Sequence, residues 1–409
     1  MERTILHCDL NNFFASVSLL YNQTLVNEPV AVAGSVQERH GIILAKNEIA
    51  KKFGVKTAEP IWKAKQKCAG LYILPPLYDK YEEFSIKARE IYHRYTDMVE
   101  PFGMDECWLD VTGSYLLFGD GQTIAKKIMR DIKNELGITA SVGVSFNKSF
   151  AKLGSDMKKP EGLTVISKEN FKEKIYRLPI SDLLFVGNST ANKLNSRGIF
   201  SIGDITLASD RMLDKILGKN GIMLKRSAMG LDDSPVITPK STDRPKSVGR
   251  SRTLSQDFES DDEVFRELLF YGEEIAENLR EKEIYAPGVA LIVRSTDLKT
   301  NEYAVRIDSG TQTGITLARV AMNLFKEHGC LPCRSVGLRA IKLKEGDANV
   351  QLDMFGSFDD EDKLLKIERN ISEICARFGK NAVVRGSLLL KNKNLAPGFK
   401  PMYCKQKTS

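Results

Sequence analysis

The stretch His7-Cys8-Asp9-Leu10-Asn11-Asn12-Phe13-Phe14-Ala15-Ser16-Val17 sets the reading of the whole chain. Residues 4–10 read as a short buried strand that ends at a carboxylate, Asp9. Phe13, Phe14, Val17 and Leu20 follow at helical spacing, so an amphipathic helix is expected directly after that strand. A second stretch, Gly103-Met104-Asp105-Glu106-Cys107-Trp108-Leu109-Asp110, opens a strand with two carboxylates, and Thr112-Gly113-Ser114 closes it. Carboxylates at the ends of adjacent buried strands are expensive to leave unpaired. Two magnesium ions about 3.5–4 Å apart would compensate them, activating an attacking oxygen and stabilising a leaving one. Magnesium favours carboxylates joined by substrate phosphates over an all-protein cage. An isolated Asp-Glu pair is most often a solvated turn, so the surrounding text must decide.

Outward from these two stretches, Pro29-Val30-Ala31-Val32-Ala33 reads as a strand, and residues 44–53 as a helix stopping at Gly54. Residues 122–136 form an amphipathic helix, and Ala140 to Phe146 alternates like a strand. Asn147 caps the next helix, which ends at Lys159-Pro160-Glu161-Gly162. This order fits an antiparallel sheet with helices on one face. Residues 168–232 read as wholly helical, and 233–247, with three prolines and mixed charge, as a linker. Mixed α+β character returns over 248–344: helices near 261–284 and 313–328, strands near 287–294, 302–308 and 334–343.

The chain has 409 residues, enough for two to four domains, with 42% apolar and 28% charged content, ordinary for a soluble protein. No apolar run reaches the roughly 18 residues of a membrane span, and the first residues do not form a signal peptide. Seven irregularly spaced cysteines fit free thiols in a reducing cytoplasm. Cys330 and Cys333 are a lone pair with no second pair to complete a zinc site. Net charge is +7, unevenly spread. Residues 374–409 hold Arg377, Lys380, Arg385, Lys391, Lys393, Lys400, Lys405 and Lys407 with no acid, and 240–252 carry five basic residues against Asp243. Such surfaces suit a polyanion, or are simply solvated.

The stretch from His7 to Val17 resembles the first motif of the Y-family DNA polymerases, and Met104 to Asp110 the second carboxylate motif. Ser141-Val142-Gly143-Val144-Ser145-Phe146-Asn147-Lys148, Ala151-Lys152 and Ser155 to Gly162 resemble the third segment, in the family's order and spacing. The resemblance covers roughly residues 4–345 and points to the bacterial DNA polymerase IV branch. It implies an α+β, multidomain right-hand polymerase. The palm, a ferredoxin-like antiparallel sheet, would take 1–20 and 76–166. Small fingers would take 21–75, a helical thumb 167–232, a linker 233–247, an α+β little finger 248–345 and a tail 346–409. By the same resemblance Asp9, Asp105 and Glu106, with the Leu10 carbonyl, would hold two Mg2+ ions. Phe13 and Phe14 would meet the nucleotide, Phe14 as the steric gate against a ribose 2′-OH, with Lys51 and Lys159 at the triphosphate. The implied activity is low-fidelity, template-directed DNA synthesis across lesions. Primer-template DNA and deoxynucleoside triphosphates would be its substrates, acted on by a monomer in the cytoplasm.

Three departures stand out. The family usually has Glu where Ser18 stands, and Ser or Ala near Gly103. Its fingers helix commonly reads Asn-Tyr-Glu-Ala-Arg, against Asn47-Glu48-Ile49-Ala50-Lys51 here. Lys is a point charge where Arg is a bidentate fork. Glu48 is therefore expected to turn from the phosphates and pair with Lys52, leaving Lys51 and Lys159 to supply the positive charge.

Residues 179–200 resemble a helix-hairpin-helix whose backbone N–H groups meet a phosphate, with Gly187, Ser189, Thr190 and Lys193 at the turn. Lys246 to Leu254 resembles the first little-finger strand, with Arg250 and Arg252 toward DNA. Gln351-Leu352-Asp353-Met354-Phe355 resembles the bacterial sliding-clamp (β subunit) peptide, in which Gln351 hydrogen-bonds and Leu352, Met354 and Phe355 fill an apolar groove. A catalytically dead relative acting as an adaptor is disfavoured because all three carboxylates remain. A nucleotidyl cyclase, which shares a two-metal palm, has no use for the hairpin, little finger or clamp peptide.

Overall fold

The structure, a computed structural model, describes residues 2–35, 41–238, 245–346, 358–379 and 382–389. It falls into two compact units, one holding Met1–Gly34 with Ile42–Ser241, the other built on Thr242–Ser409.

In the first unit β1 (Ile5–Leu10) is buried along its whole length and leads into α1 (Phe13–Leu20). Asn12 makes the turn at φ 49°, a left-handed conformation that Asn tolerates. A lobe of β2 (Val30–Ala33), β3 (Ile43–Lys46), α2 (Glu48–Lys52), α3 (Ile61–Lys67) and β4 (Tyr72–Leu74) follows. Its strands pair in the order β3-β2-β4. The helix expected over 44–53 is thus divided. Asn47 accepts a hydrogen bond from Ala50 N and so starts α2, while the same side chain accepts from Val30 N and donates to Glu28 O. One buried amide fixes the change from strand to helix.

The chain continues through α4 (Tyr78–His93), β5 (Val99–Pro101), β6 (Glu106–Asp110), α5 (Tyr115–Phe118), α6 (Gly121–Asp131), β7 (Ala140–Ser145), α7 (Lys148–Met157) and β8 (Leu163–Ile166). The strands form one sheet in the order β5-β6-β1-β7-β8. It is not purely antiparallel, as was expected: β8 runs parallel to β7. The cause is α7, which lies between them as a crossover connection and returns the chain in the same direction. Leu6, Cys8, Leu10, Leu109 and Val142 pack in one core with Val17 of α1, Tyr81 and Ile91 of α4, and Ile124 and Ile128 of α6. Gly143 makes room for α7. A Cβ there would lie 2.0 Å from Ala151 O and 2.5 Å from Ser155 N, so any side chain would push the helix off the sheet.

Residues 168–232 are helical as expected: α8 (Phe171–Ile175), a 3-10 turn Ile180–Asp182, α9 (Asn188–Asn195), α10 (Ile202–Leu207), α11 (Asp210–Leu217) and α12 (Lys219–Ala228). They close over Leu183, Leu194, Ile202, Leu213 and Leu224. The expected linker is docked at its start. Val236 is buried, Lys148 Nζ donates to Pro235 O, Ile237 N donates to Glu100 and Thr238 to Asp97 O. Residues 239–244 lie outside those described.

In the second unit β9 (Ser247–Ser251), α13 (Asp261–Glu281), β10 (Ile284–Ser295), β11 (Thr300–Thr311), α14 (Gly314–His328), β12 (Cys333–Ile341) and β13 (Lys344–Glu345) follow the expected order. The main sheet runs β11-β10-β12-β9, with α13 and α14 packed on it through Leu268, Ile275, Leu317 and Ala321. The expected tail is more than a tail. It contains α15 (Phe358–Phe378) and α16 (Gly386–Leu389). Glu368 of α15 accepts hydrogen bonds from Gly314 N at the start of α14 and pairs with Arg280 and Arg385.

Candidate active site

Asp9 and Glu106 face each other as register partners across β1 and β6, with Asp105 preceding Glu106. Leu10 N donates to Asp105 O at 3.0 Å, tying the end of β1 to the start of β6. Gly103 takes φ 88°, a conformation natural to glycine, in the turn that delivers Asp105. Strand pairing alone therefore brings Asp9 to Asp105 and Glu106, which lie about a hundred residues further along the chain.

Two lysines reach into this group from the α7 side. Lys152 Nζ lies 2.9 Å from Glu106, 3.3 Å from Asp9 and 3.3 Å from Asp156. Lys159 Nζ lies 2.6 Å from Asp9 and 2.8 Å from Asp156. Burial outweighs these ammonium groups at Asp9 and holds its carboxyl above the usual carboxylate range. Asp105 is raised by burial and by its neighbour Glu106. At Glu106 burial is overcome by His7 and Lys152, which hold the carboxyl below the usual range. His7 is fully buried, which lowers it to about 4, so its imidazole is neutral. Its Nδ1 meets Ser155 Oγ at 2.8 Å, and its Nε2 stands 3.3 Å from Glu106 Oε2.

Among the described residues no three acidic, histidine or cysteine side chains close into a finished metal cage. The donor set still suits magnesium. It is all oxygen, and Glu106 Oε2 is buried between His7 Nε2 and Lys152 Nζ. The two ammonium groups offset only part of the charge of Asp9, Asp105, Glu106 and Asp156, and magnesium takes substrate phosphates as further ligands.

The nucleotide candidates separate. Phe13 is only 3% exposed and its ring belongs to the core, not to a substrate surface. Phe14 is half-buried and lies flat on Tyr81, with centroids 4.1 Å apart and planes 9° from parallel. Tyr81 OH is 2.7 Å from Ser18 Oγ, the position where the family usually carries Glu. Lys51 is exposed. The expected Glu48–Lys52 pair does not form. Glu48 Oε1 instead accepts from Asn12 Nδ2 at 3.1 Å and meets Lys51 at 3.4 Å. Residues 48 and 51 share a helical face, and Asn12 draws the carboxylate toward the turn between β1 and α1.

At the hairpin, Gly187 is the N-cap of α9 with no side-chain cap, and Ser189 and Lys193 are exposed. Thr190 is partly exposed, and the first helix of the motif is reduced to the 3-10 turn Ile180–Asp182. In the second unit Arg250 is exposed and 3.3 Å from Glu274. Arg252 does not present its guanidinium to DNA as expected. Its fork is taken by Glu267 at 2.5 and 2.8 Å, because that carboxylate is buried and needs the partner. Gln351, Leu352, Met354 and Phe355 lie outside the described residues. Lys152, Tyr81 and His7 were not among the expected site residues. Lys152, Asp156 and Lys159 are spaced for one helical face, a signal present in the sequence.

Residues 8–156 match the model of the impB/mucB/samB family, and residues 245–354 match that family's C-terminal domain. The chain is 44% identical over 391 residues to a DNA polymerase IV of Acetivibrio thermocellus, covering 95% of this chain and 98% of the relative. It is 35% identical over 402 residues to DNA polymerase IV 1 of Bacillus subtilis, covering 97% and 96%. A solved Y-family DNA polymerase chimera superposes with a TM-score of 0.74 at 26% identity, over 84% of this chain and 100% of that one. With identity of this extent running through both units, the chain belongs to the DNA polymerase IV branch of the Y family of DNA-directed DNA polymerases.

Proposed function

We propose that the chain extends a primer 3′ end on a DNA template by a two-magnesium mechanism, with low fidelity and across damaged bases. The observation that carries this reading is the pairing of Asp9 with Glu106 across β1 and β6, next to Asp105 and beneath Lys152 and Lys159. Asp9, the Leu10 carbonyl, Asp105 and Glu106 would hold the ions. Bound there, magnesium lowers the cost of the attacking and leaving oxygens in an in-line displacement. The chain's own groups do the rest. Lys159, and Lys51 from the neighbouring lobe, offer positive charge to phosphate oxygens. Phe14, braced by Tyr81, would be the steric gate against a ribose 2′-OH.

In this reading residues 1–20 and 76–166 are the palm, 21–75 the fingers, 167–232 the thumb, 233–247 a linker partly laid on the palm, and 248–345 the little finger. Gly187, Ser189, Thr190, Lys193 and Arg250 would meet the DNA backbone, so affinity would fall steeply with salt. The protein would work in the cytoplasm as a monomer recruited by the sliding clamp through residues 351–355. Primer extension with all four nucleotides, on undamaged and lesion-bearing templates, tests the reading. Asp105→Ala should abolish extension while gel-shift binding of primer-template persists, and near-normal extension by that variant would sink it.

A further inference from the structure

The lobe of β2, β3 and β4 carries a basic surface of which the proposed reaction uses only Lys51. Residues 51–67 contain six lysines, Lys51, Lys52, Lys56, Lys63, Lys65 and Lys67, against a single acid, Glu59. Glu59 is itself buried and neutralised, with Lys67 Nζ 2.6 Å from its carboxylate. Set among these lysines are two of the more exposed aromatic rings in the first unit, Phe53 at 54% and Trp62 at 65%. Neither exposure is accidental slack in the packing. Ile61, Ala64 and Cys68 turn one face of α3 into the lobe's core with Ala50 and Val55, which obliges Trp62, Lys63, Lys65 and Gln66 to face water. Lys67 Nζ also donates to Gly54 O, so the end of α3 is stitched to the turn that follows Phe53.

Large exposed aromatic rings interleaved with lysines are the elements of a platform for single-stranded nucleic acid. Bases stack on the rings whatever their sequence, and the ammonium groups follow the phosphates. A protein partner with an apolar face would want the aromatic residues without this density of positive charge. We propose that Phe53 and Trp62, with Lys52, Lys56, Lys63 and Lys65, form a subsite for the unpaired template strand, stacking bases that have not yet reached the reacting end. The proposal rests on the family's use of a DNA template and not on the assignment of Asp9, Asp105 and Glu106, so the two can fail separately.

The chain carries its own probe. It has two tryptophans, and the second, Trp108, is buried with its indole N–H donated to Lys148 O. Emission from an exposed indole therefore comes from Trp62. The full chain is titrated with oligo(dT), and with primer-templates whose 5′ overhang is one nucleotide or about eight nucleotides. Binding is followed independently by anisotropy of labelled DNA. Trp62 emission should be quenched by oligo(dT) and by the long overhang, which should bind about tenfold more tightly than the short one. Trp62→Ala should remove that overhang preference and Trp62→Phe should retain most of it, while Trp108 emission in both variants reports an intact fold. Unchanged Trp62 emission at saturating DNA, or an undiminished overhang preference in Trp62→Ala, would overturn the proposal. So would quenching by a protein partner alone.

Discussion

Phe14 is held by contacts that leave it little freedom. Its ring lies on Tyr81, whose hydroxyl is in turn held by Ser18. A braced ring can exclude a hydroxyl because it cannot move aside. Forcing an extra group into a packed site costs about 1–3 kcal/mol, equivalent to roughly fivefold to 150-fold in discrimination. Phe14→Ala should raise ribonucleotide incorporation by that order in competition assays, and unchanged sugar selection would make Phe14 a core residue only. Lys51 is proposed to bear on the triphosphate instead. Glu48 is bound to Asn12 and to Lys51, and its ion pair with the exposed Lys51 is of the kind that contributes little. Lys51→Ala should lower nucleotide efficiency about tenfold or more by removing a charge-assisted contact, while Glu48→Ala should change it far less. Steady-state kinetics giving the reverse order would show that Glu48, and not Lys51, organises the phosphates. Asp9, Asp105 and Glu106 stood out in the sequence as carboxylates at the ends of apolar strands, and the resemblance to the family supplied the roles expected of them and of Phe14. Tyr81 and His7 were not legible there, because each acts through a partner distant in the chain, and only pairing and packing bring those partners near.

The elements that sequence misjudged are those whose form depends on a neighbour. Apolar alternation could not reveal that β8 runs parallel to β7, since direction is imposed by the α7 crossover and not by β8 itself. The division of 44–53 into β3 and α2 turns on Asn47, whose side chain serves both elements at once. The helix α15 is the largest omission. Its start is acidic, Asp359-Asp360-Glu361-Asp362, as suits a helix N-terminus, but its stability comes from the second unit. Glu368 is 4% exposed and gathers Gly314 N, Arg280 and Arg385. Removing one carboxylate that serves two largely buried arginines costs about 3 kcal/mol. Glu368→Ala should lower the melting temperature of the second unit by roughly 6–12 °C, with Glu368→Gln losing less. An unchanged melting curve would mean that α15 only rests on the surface.

Each unit of the molecule closes its own core. Leu6, Leu10, Tyr81, Leu109 and Ile124 anchor the first, and Leu268, Ile275, Leu291, Leu317 and Leu338 the second. This division bears on how the enzyme would meet a clamp. The second unit is anchored on either side of residues 347–357. Before them β13 pairs with β10 through Lys344 and Glu345. After them α15 is fixed to α14 by Glu368. In the sequence, Gln351, Leu352, Met354 and Phe355, which lie outside the described residues, stand between these two elements. A clamp that bound these residues would be tethered next to the second unit in the chain. Loss of the two apolar anchors should then cost the polymerase its tether and nothing of its chemistry. Leu352→Ala with Phe355→Ala should abolish clamp-stimulated synthesis on long templates and leave extension without clamp at its wild-type rate. Each anchor buries apolar surface worth about 1.5–3 kcal/mol, so clamp affinity measured by surface capture should fall by about a hundredfold or more. Equal capture of the double variant and the wild type would show that residues 351–355 match the clamp peptide by coincidence.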